Sequence, residues 1–182
     1  MPPAPLRLRT DDRRGNDTDN KGAGITLTSA VDLVAGSVHE ITLTVAKAPL
    51  TPAEPITISD SGDYTITGSG GRTITITSGS PKVTLKGVTS TALTAIEIKN
   101  DASPTILLKG TNTFNAPNGE ASVIWLNGEN ANVIIDGSNN TGSLVIKKSG
   151  GTVVTGAIIG GGFNLSAGNI TIQNAVLSID FI

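Results

Sequence analysis

From about Tyr64 onward the chain is a succession of short β-type segments, many of which close on Gly or Asn-Gly. They read Tyr64-Thr-Ile-Thr-Gly68, Thr73-Ile-Thr-Ile-Thr77, Val83-Thr-Leu-Lys-Gly87, Ala95-Ile-Glu-Ile-Lys99, Thr105-Ile-Leu-Leu-Lys-Gly110 and Val123-Ile-Trp-Leu-Asn-Gly128. The series continues with Val133-Ile-Ile-Asp-Gly137, Leu144-Val-Ile-Lys-Lys148, Ala157-Ile-Ile-Gly160 and Asn169-Ile-Thr-Ile-Gln173. Recurrence at this scale is the signature of a solenoid. No single unit is long enough to bury its own apolar face, so each must stack on the next, which leaves function to the outer faces and the ends.

The composition agrees with that reading. Thr and Gly are abundant, at 24 and 22 of 182 residues, while only 3% of the chain is aromatic. Thr, Val and Ile suit pleated surfaces, and Gly and Asn suit tight corners. No long segment shows apolar residues at three-and-four spacing, so helices are not expected. A net charge of −2 supplies no basic face for nucleic acid. The absence of Cys removes disulfides, thiolate metal sites and thiol nucleophiles. No apolar run approaches the ~18 residues of a membrane-spanning helix. Met1-Pro-Pro-Ala-Pro-Leu-Arg7 lacks the apolar core of a secretory signal. If Met1 is the native start, export by the general route is not expected.

Three segments are expected. Residues 1–24 form a Pro-, Arg-, Asp- and Gly-rich arm carrying Leu6, Arg7, Leu8, Arg9, Arg13 and Arg14. Ordering such an arm costs roughly 1–2 kcal/mol per residue, so it takes a fixed course only when docked, and it reads as an anchor. Residues 25–60 hold two strand-like runs, Ile25–Thr28 and Glu40–Val45, and a connector punctuated by Pro49 and Pro55, and read as a small β cap or collar with a linker. Residues 61–182 read as the solenoid. Its last stretch, Ser178-Ile-Asp-Phe-Ile182, is apolar and brings no polar capping element, which implies a partner or a truncated chain.

Side chains alternate in and out along a strand, so aligning the repeats on their terminal Gly assigns directions. Val83, Leu85, Ile96, Ile98, Ile106, Leu108, Ile124, Leu126, Val133 and Ile135 should point inward. Outward positions then include Leu107, Trp125, Ile134 and Val145, a candidate apolar patch for partner binding, as in a homotrimer of parallel rods or docking on a neighbour. The other reading is that Thr111–Ala121, or the N-terminal segment, folds over these side chains.

Candidate chemistry is sparse. Trp125 with Asn127, Glu129 and Asn130 nearby forms a candidate glycan platform, since Trp stacks on sugar rings. The carboxylates Asp60, Asp63, Glu97, Asp101, Glu129 and Asp136 form no dense acidic row of the sort a polysaccharide-cleaving site uses, and no catalytic residue is assigned. Asp17–Gly22 departs from a calcium loop at Lys21 and lacks the closing Glu, so no metal site is expected. Thr73, Thr75 and Thr77 would make a flat hydroxyl row of the ice-binding kind, but it does not recur from coil to coil. His39 stands alone, and Gly156–Gly162 lacks the Lys-Ser/Thr of a phosphate loop and suits a corner where backbones pass closely. No cofactor is expected.

The stretch from Val83 to Ser178 resembles the right-handed parallel β-helix repeats of surface proteins of gut bacteria and their phages, a group described as carbohydrate-binding-domain-like. The likeness rests on Val83-Thr-Leu-Lys-Gly-Val88, Ala95-Ile-Glu-Ile98, Ile106-Leu-Leu-Lys-Gly-Thr-Asn-Thr-Phe114, Gly156-Ala-Ile-Ile-Gly-Gly-Gly162 and Gly168-Asn-Ile-Thr-Ile172. It covers about half the chain, and the family's Gly-Ala-Gly-Ile-Gly-Gly-Gly block occurs here once, in altered form. The resemblance implies an all-β, right-handed parallel β-helix. With the polar arm standing where the family has a signal peptide, the expectation is a non-catalytic structural and attachment protein of a bacteriophage particle, displayed on the virion surface. Its expected partners are other structural proteins held through residues 1–24. The alternatives are a secreted or cell-surface adhesin domain that binds a host surface glycan, and a β-helix polysaccharide lyase or hydrolase.

Overall fold

A computed structural model describes residues 48–117, 121–137, 141–149, 157–162 and 165–181. The arm with Leu6, Arg7, Leu8, Arg9, Arg13 and Arg14, the runs Ile25–Thr28 and Glu40–Val45, Asp17–Gly22 and His39 lie outside the described residues. Pro49–Ile182 is one compact unit.

The described residues form strands without helices. The first coil contains β1 (Ile56–Ile58) and β2 (Asp63–Gly70), the second β3 (Ile74–Ile76) and β4 (Lys82–Ser90). The third contains β5 (Ile96–Lys99), β6 (Thr105–Lys109) and β7 (Thr111–Ala116), and the fourth β8 (Ile124–Asn127), β9 (Val133–Asp136) and β10 (Ser143–Lys148). The fifth contains β11 (Ile159–Gly160), β12 (Ile170–Gln173) and β13 (Val176–Phe181). Every pairing is parallel and joins a strand to its counterpart one coil away. Three rows result. The first is the sheet β1-β3-β5-β8-β11; the second and third are the two limbs of the larger sheet, joined through the long strands β2 and β4.

The register explains the core. Ile56, Ile74, Ile96, Ile124 and Ile159 follow one another up the first row, and Val83, Ile106, Ile135 and Ile172 up the second. On the third row Ser90, Phe114, Ile146 and Ile179 form a further file. Inward positions from Ile56 to Ile146 are buried, as the alternation predicts, and each large apolar side chain removed from water contributes about 1.5–3 kcal/mol. Between the second and third rows the chain turns at Gly68, Gly87 and Gly110, whose φ values are +81°, +63° and +63°, and at Asn174 in the fifth coil, φ +50°.

Two elements differ from the sequence expectation. Thr111–Ala116 is strand β7 rather than a loop covering outward side chains, because Phe114 and Ala116 point inward and the intervening polar Asn112 is buried as well. Ile56–Ile58 is strand β1, paired in register with β3, although it lies in the stretch read as collar and linker. Pro55 immediately before it is tolerated because β1 is the edge strand of its row, where a missing N–H breaks no ladder.

Hydroxyls tie the coils together at the entrance to the first row. Thr73 donates to the Thr94 carbonyl at 2.8 Å, Thr94 to Ser122 at 3.0 Å and Ser122 to Gly161 at 2.8 Å, over separations of 21, 28 and 39 residues. The coils thus lengthen along the stack while the strand positions stay in register, and the added residues go into the turns.

Candidate functional site

The outward residues of the first row run Thr57, Thr75, Glu97 and Trp125. Glu97, 14% exposed at its side chain, accepts from Lys99 Nζ at 2.5 Å and from Asn127 Nδ2 at 2.9 Å. Trp125 lies beside Glu97 on the next coil and is half-buried. Its Nε1 is buried and has no hydrogen-bond partner among the described residues. Gly162 passes over the indole; a Cβ there would stand 3.4 Å from Nε1. Trp125 and Asn127 therefore share one outward face, but part of the indole is occupied by the chain's own fifth coil. Glu129 is exposed beyond the turn at Gly128, outside the strand row.

The four outward apolar residues do not form one patch. Trp125 stands on the first row and Val145 on the third, between Thr113 and Ser178. Leu107 and Ile134 share the second row on adjacent strands, where Thr105 opposes Ile134 and Leu107 opposes Asp136. Alternation alone placed all four outward, but it carries no information on which of three rows a strand joins.

Ile134, 39% exposed, instead lines a groove of about 300 Å³ with Ser103, Pro104, Asn132, Val133, Asn169 and Thr171. The groove carries no charged side chain. Its polar wall is built by stacked turns: Asn132 Nδ2 donates to Ser103 Oγ at 3.3 Å and to the Asn130 carbonyl at 2.8 Å, while its Oδ1 accepts the Asn169 N–H at 2.8 Å. Sequence reasoning missed this groove, although Asn at recurring turn positions was a signal for it.

The described carboxylates are spread over the stack. Asp60 accepts the Tyr64 hydroxyl at 2.8 Å and the Gly62 N–H at 2.6 Å. Burial, then the hydrogen bond and negative charge of Asp60, push the Tyr64 hydroxyl up to about 12. Asp136 accepts from Gln173 Nε2 at 2.9 Å. Asp63 and Asp101 are exposed, Asp101 in a left-handed turn with φ +68°. Among the described residues no cluster of three or more His, Cys, Asp or Glu side chains is placed to hold a metal ion. Lys148 occupies an inward position, 3% exposed, with Nζ donating to the Ala121 carbonyl at 3.0 Å, and burial pushes its pKa down.

Comparison of the chain with protein-family models, curated proteins and solved structures returned no match.

Proposed function

We propose that this chain is a non-catalytic structural and attachment protein of a larger assembly, a bacteriophage particle in which residues 1–24 dock while the stacked coils project outward. The stack is read as a right-handed parallel β-helix, since crossovers between parallel strands of one sheet are right-handed in about 98% of cases. One observation carries the reading. The first coil is sealed, with Ile58 and Ile66 at 0% exposure, whereas the last coil leaves Val176 and Phe181 at 60% and 64%. A stack with one finished and one unfinished end is suited to being joined to something else. The test is deletion of residues 1–24 followed by quantification of the chain in purified particles. The proposal expects incorporation to be lost while the coils stay folded; incorporation at normal copy number overturns it.

A second reading, a glycan-binding surface domain, is favoured by the uncharged groove around Ile134 and Asn169, where amides, hydroxyls and one exposed apolar side chain match a neutral sugar. Binding of neutral oligosaccharides on an array, lost in Ile134→Ser and Asn169→Ala, would place this reading ahead of the first.

A further inference from the structure

The fifth coil presents the core of the stack to solvent. Ile170, Ile172, Ile179 and Phe181 follow Val133, Ile135, Ile146 and Lys148 in the inward files. Yet they are 37%, 43%, 40% and 64% exposed. Val176 adds a further exposed apolar side chain. Among the described residues, no strand pairs with the outer edges of β11, β12 and β13. Such an end combines open main-chain hydrogen-bonding groups with an apolar cross-section, the combination that recruits another strand.

We propose that a second copy of this chain covers the end, across a two-fold axis that sets β13 antiparallel to β13 of the second copy. The sealed first coil offers no open apolar surface, so a head-to-tail contact lacks a matching face, while an isologous contact uses the open end twice. The exposed fractions leave on the order of 400 Å² of apolar side chain per copy. Doubled, and with the strand edges added, this reaches the roughly 1,200 Å² at which stable interfaces begin.

The side-chain pattern selects a register. Residues opposite one another in an antiparallel pair lie on the same face, so inward must meet inward. With Ile179 on the axis, Leu177 opposes Phe181 and Ser178 opposes Asp180 of the second copy. The apolar residues then close over the core, and no two carboxylates face each other. A pairing centred on Asp180 would set the two Asp180 carboxylates together, and a one-residue slip would set apolar against outward positions.

The test is the solution mass of the full chain by sedimentation and light scattering, beside three variants. The unmodified chain should weigh twice its 18.4 kDa, and Ile179→Lys should reduce it to one copy. Because Ile179→Lys alters the core face of β13, two outward substitutions supply a reading independent of folding. Ser178→Asp faces Asp180 twice per dimer and should weaken the dimer about tenfold at low salt, whereas Ser178→Lys should tighten it by a similar factor. A monomer or a trimer at all accessible concentrations overturns the proposal, as does an equal response to the two Ser178 substitutions. Particle incorporation is measured separately: a dimer that fails to incorporate supports this contact and removes the attachment reading, whereas a monomer that incorporates does the reverse.

Discussion

Asn112, buried in the third row, accepts the Val88 N–H through Oδ1 at 2.9 Å and so joins the second and third coils from inside the core. Its Nδ2 reaches the Gly110 and Ser143 carbonyls, each at 3.3 Å, so the same amide also holds the corner and the coil above. Replacement by an apolar residue leaves the Val88 N–H and two carbonyls short of partners, at about 1–3 kcal/mol for a buried unsatisfied group. Asn112→Leu should lower the urea midpoint by the equivalent of on the order of 2–3 kcal/mol with little change in the denaturant slope. An unchanged midpoint would mean that the amide is not buried.

Lys148 is the buried cation of the inward files, and its pKa lies below 10.5 because burial disfavours the charge. The unfolded chain therefore holds more protons than the folded one between the lowered value and 10.5, and stability rises with pH across that window. Thermal melts of the chain and of Lys148→Met at a series of alkaline pH values should show the rise in the former only. Parallel pH profiles would contradict the placement of Nζ against the Ala121 carbonyl.

Tyr64 is the one tyrosine in the chain, so absorbance of tyrosinate reports on it alone. Its folded pKa of about 12 exceeds the ordinary 10.0, so its contribution to stability is fully present below 10.0 and is lost as pH rises toward 12. Ionisation should follow the raised value, and Asp60→Asn should bring it down while leaving it above 10.0, because burial is the larger cause. Ionisation at the ordinary value in the folded chain would show that the hydroxyl is not held against Asp60.

At the corners, a Cβ on Gly87 or Gly110 would meet nothing within 4 Å, yet both residues have φ near +63°. The cost of Gly110→Ala is then backbone strain alone, about 1–2 kcal/mol. Gly110→Asn should cost less, since Asn tolerates this conformation and Asn174 already adopts it at the corner of the fifth coil. Equal losses for Ala and Asn in chemical denaturation would mean that space, not backbone angle, limits the corner.

Much of the fold was legible because stacking makes every inward position answer to the same rule. Val83, Ile106 and Ile135 announce themselves by alternation, and the Gly that closes each unit marks the corner. Other features were hidden by residue type. Thr111-Asn-Thr-Phe-Asn-Ala116 reads as a polar loop until the three bonds of Asn112 show that a buried amide can occupy an inward position. Lys148 continues the inward alternation of Leu144 and Ile146, but a lysine is normally read as solvated. The groove around Ile134 and the separation of Trp125, Leu107 and Val145 depend on turns of unequal length, which set the row and the coil of each strand and leave no periodic trace in the sequence.

The most direct test of a stack sealed at its first coil and open at its last is amide hydrogen exchange on the full chain over a dilution series. In dilute solution, protection should be as high in β1 and the first half of β2 as in β4 to β9 and should fall away through β12 and β13, with β13 regaining protection as concentration rises. Equal protection of β13 and β4 at every dilution, or exchange as fast in β1 as in β13, would contradict the account.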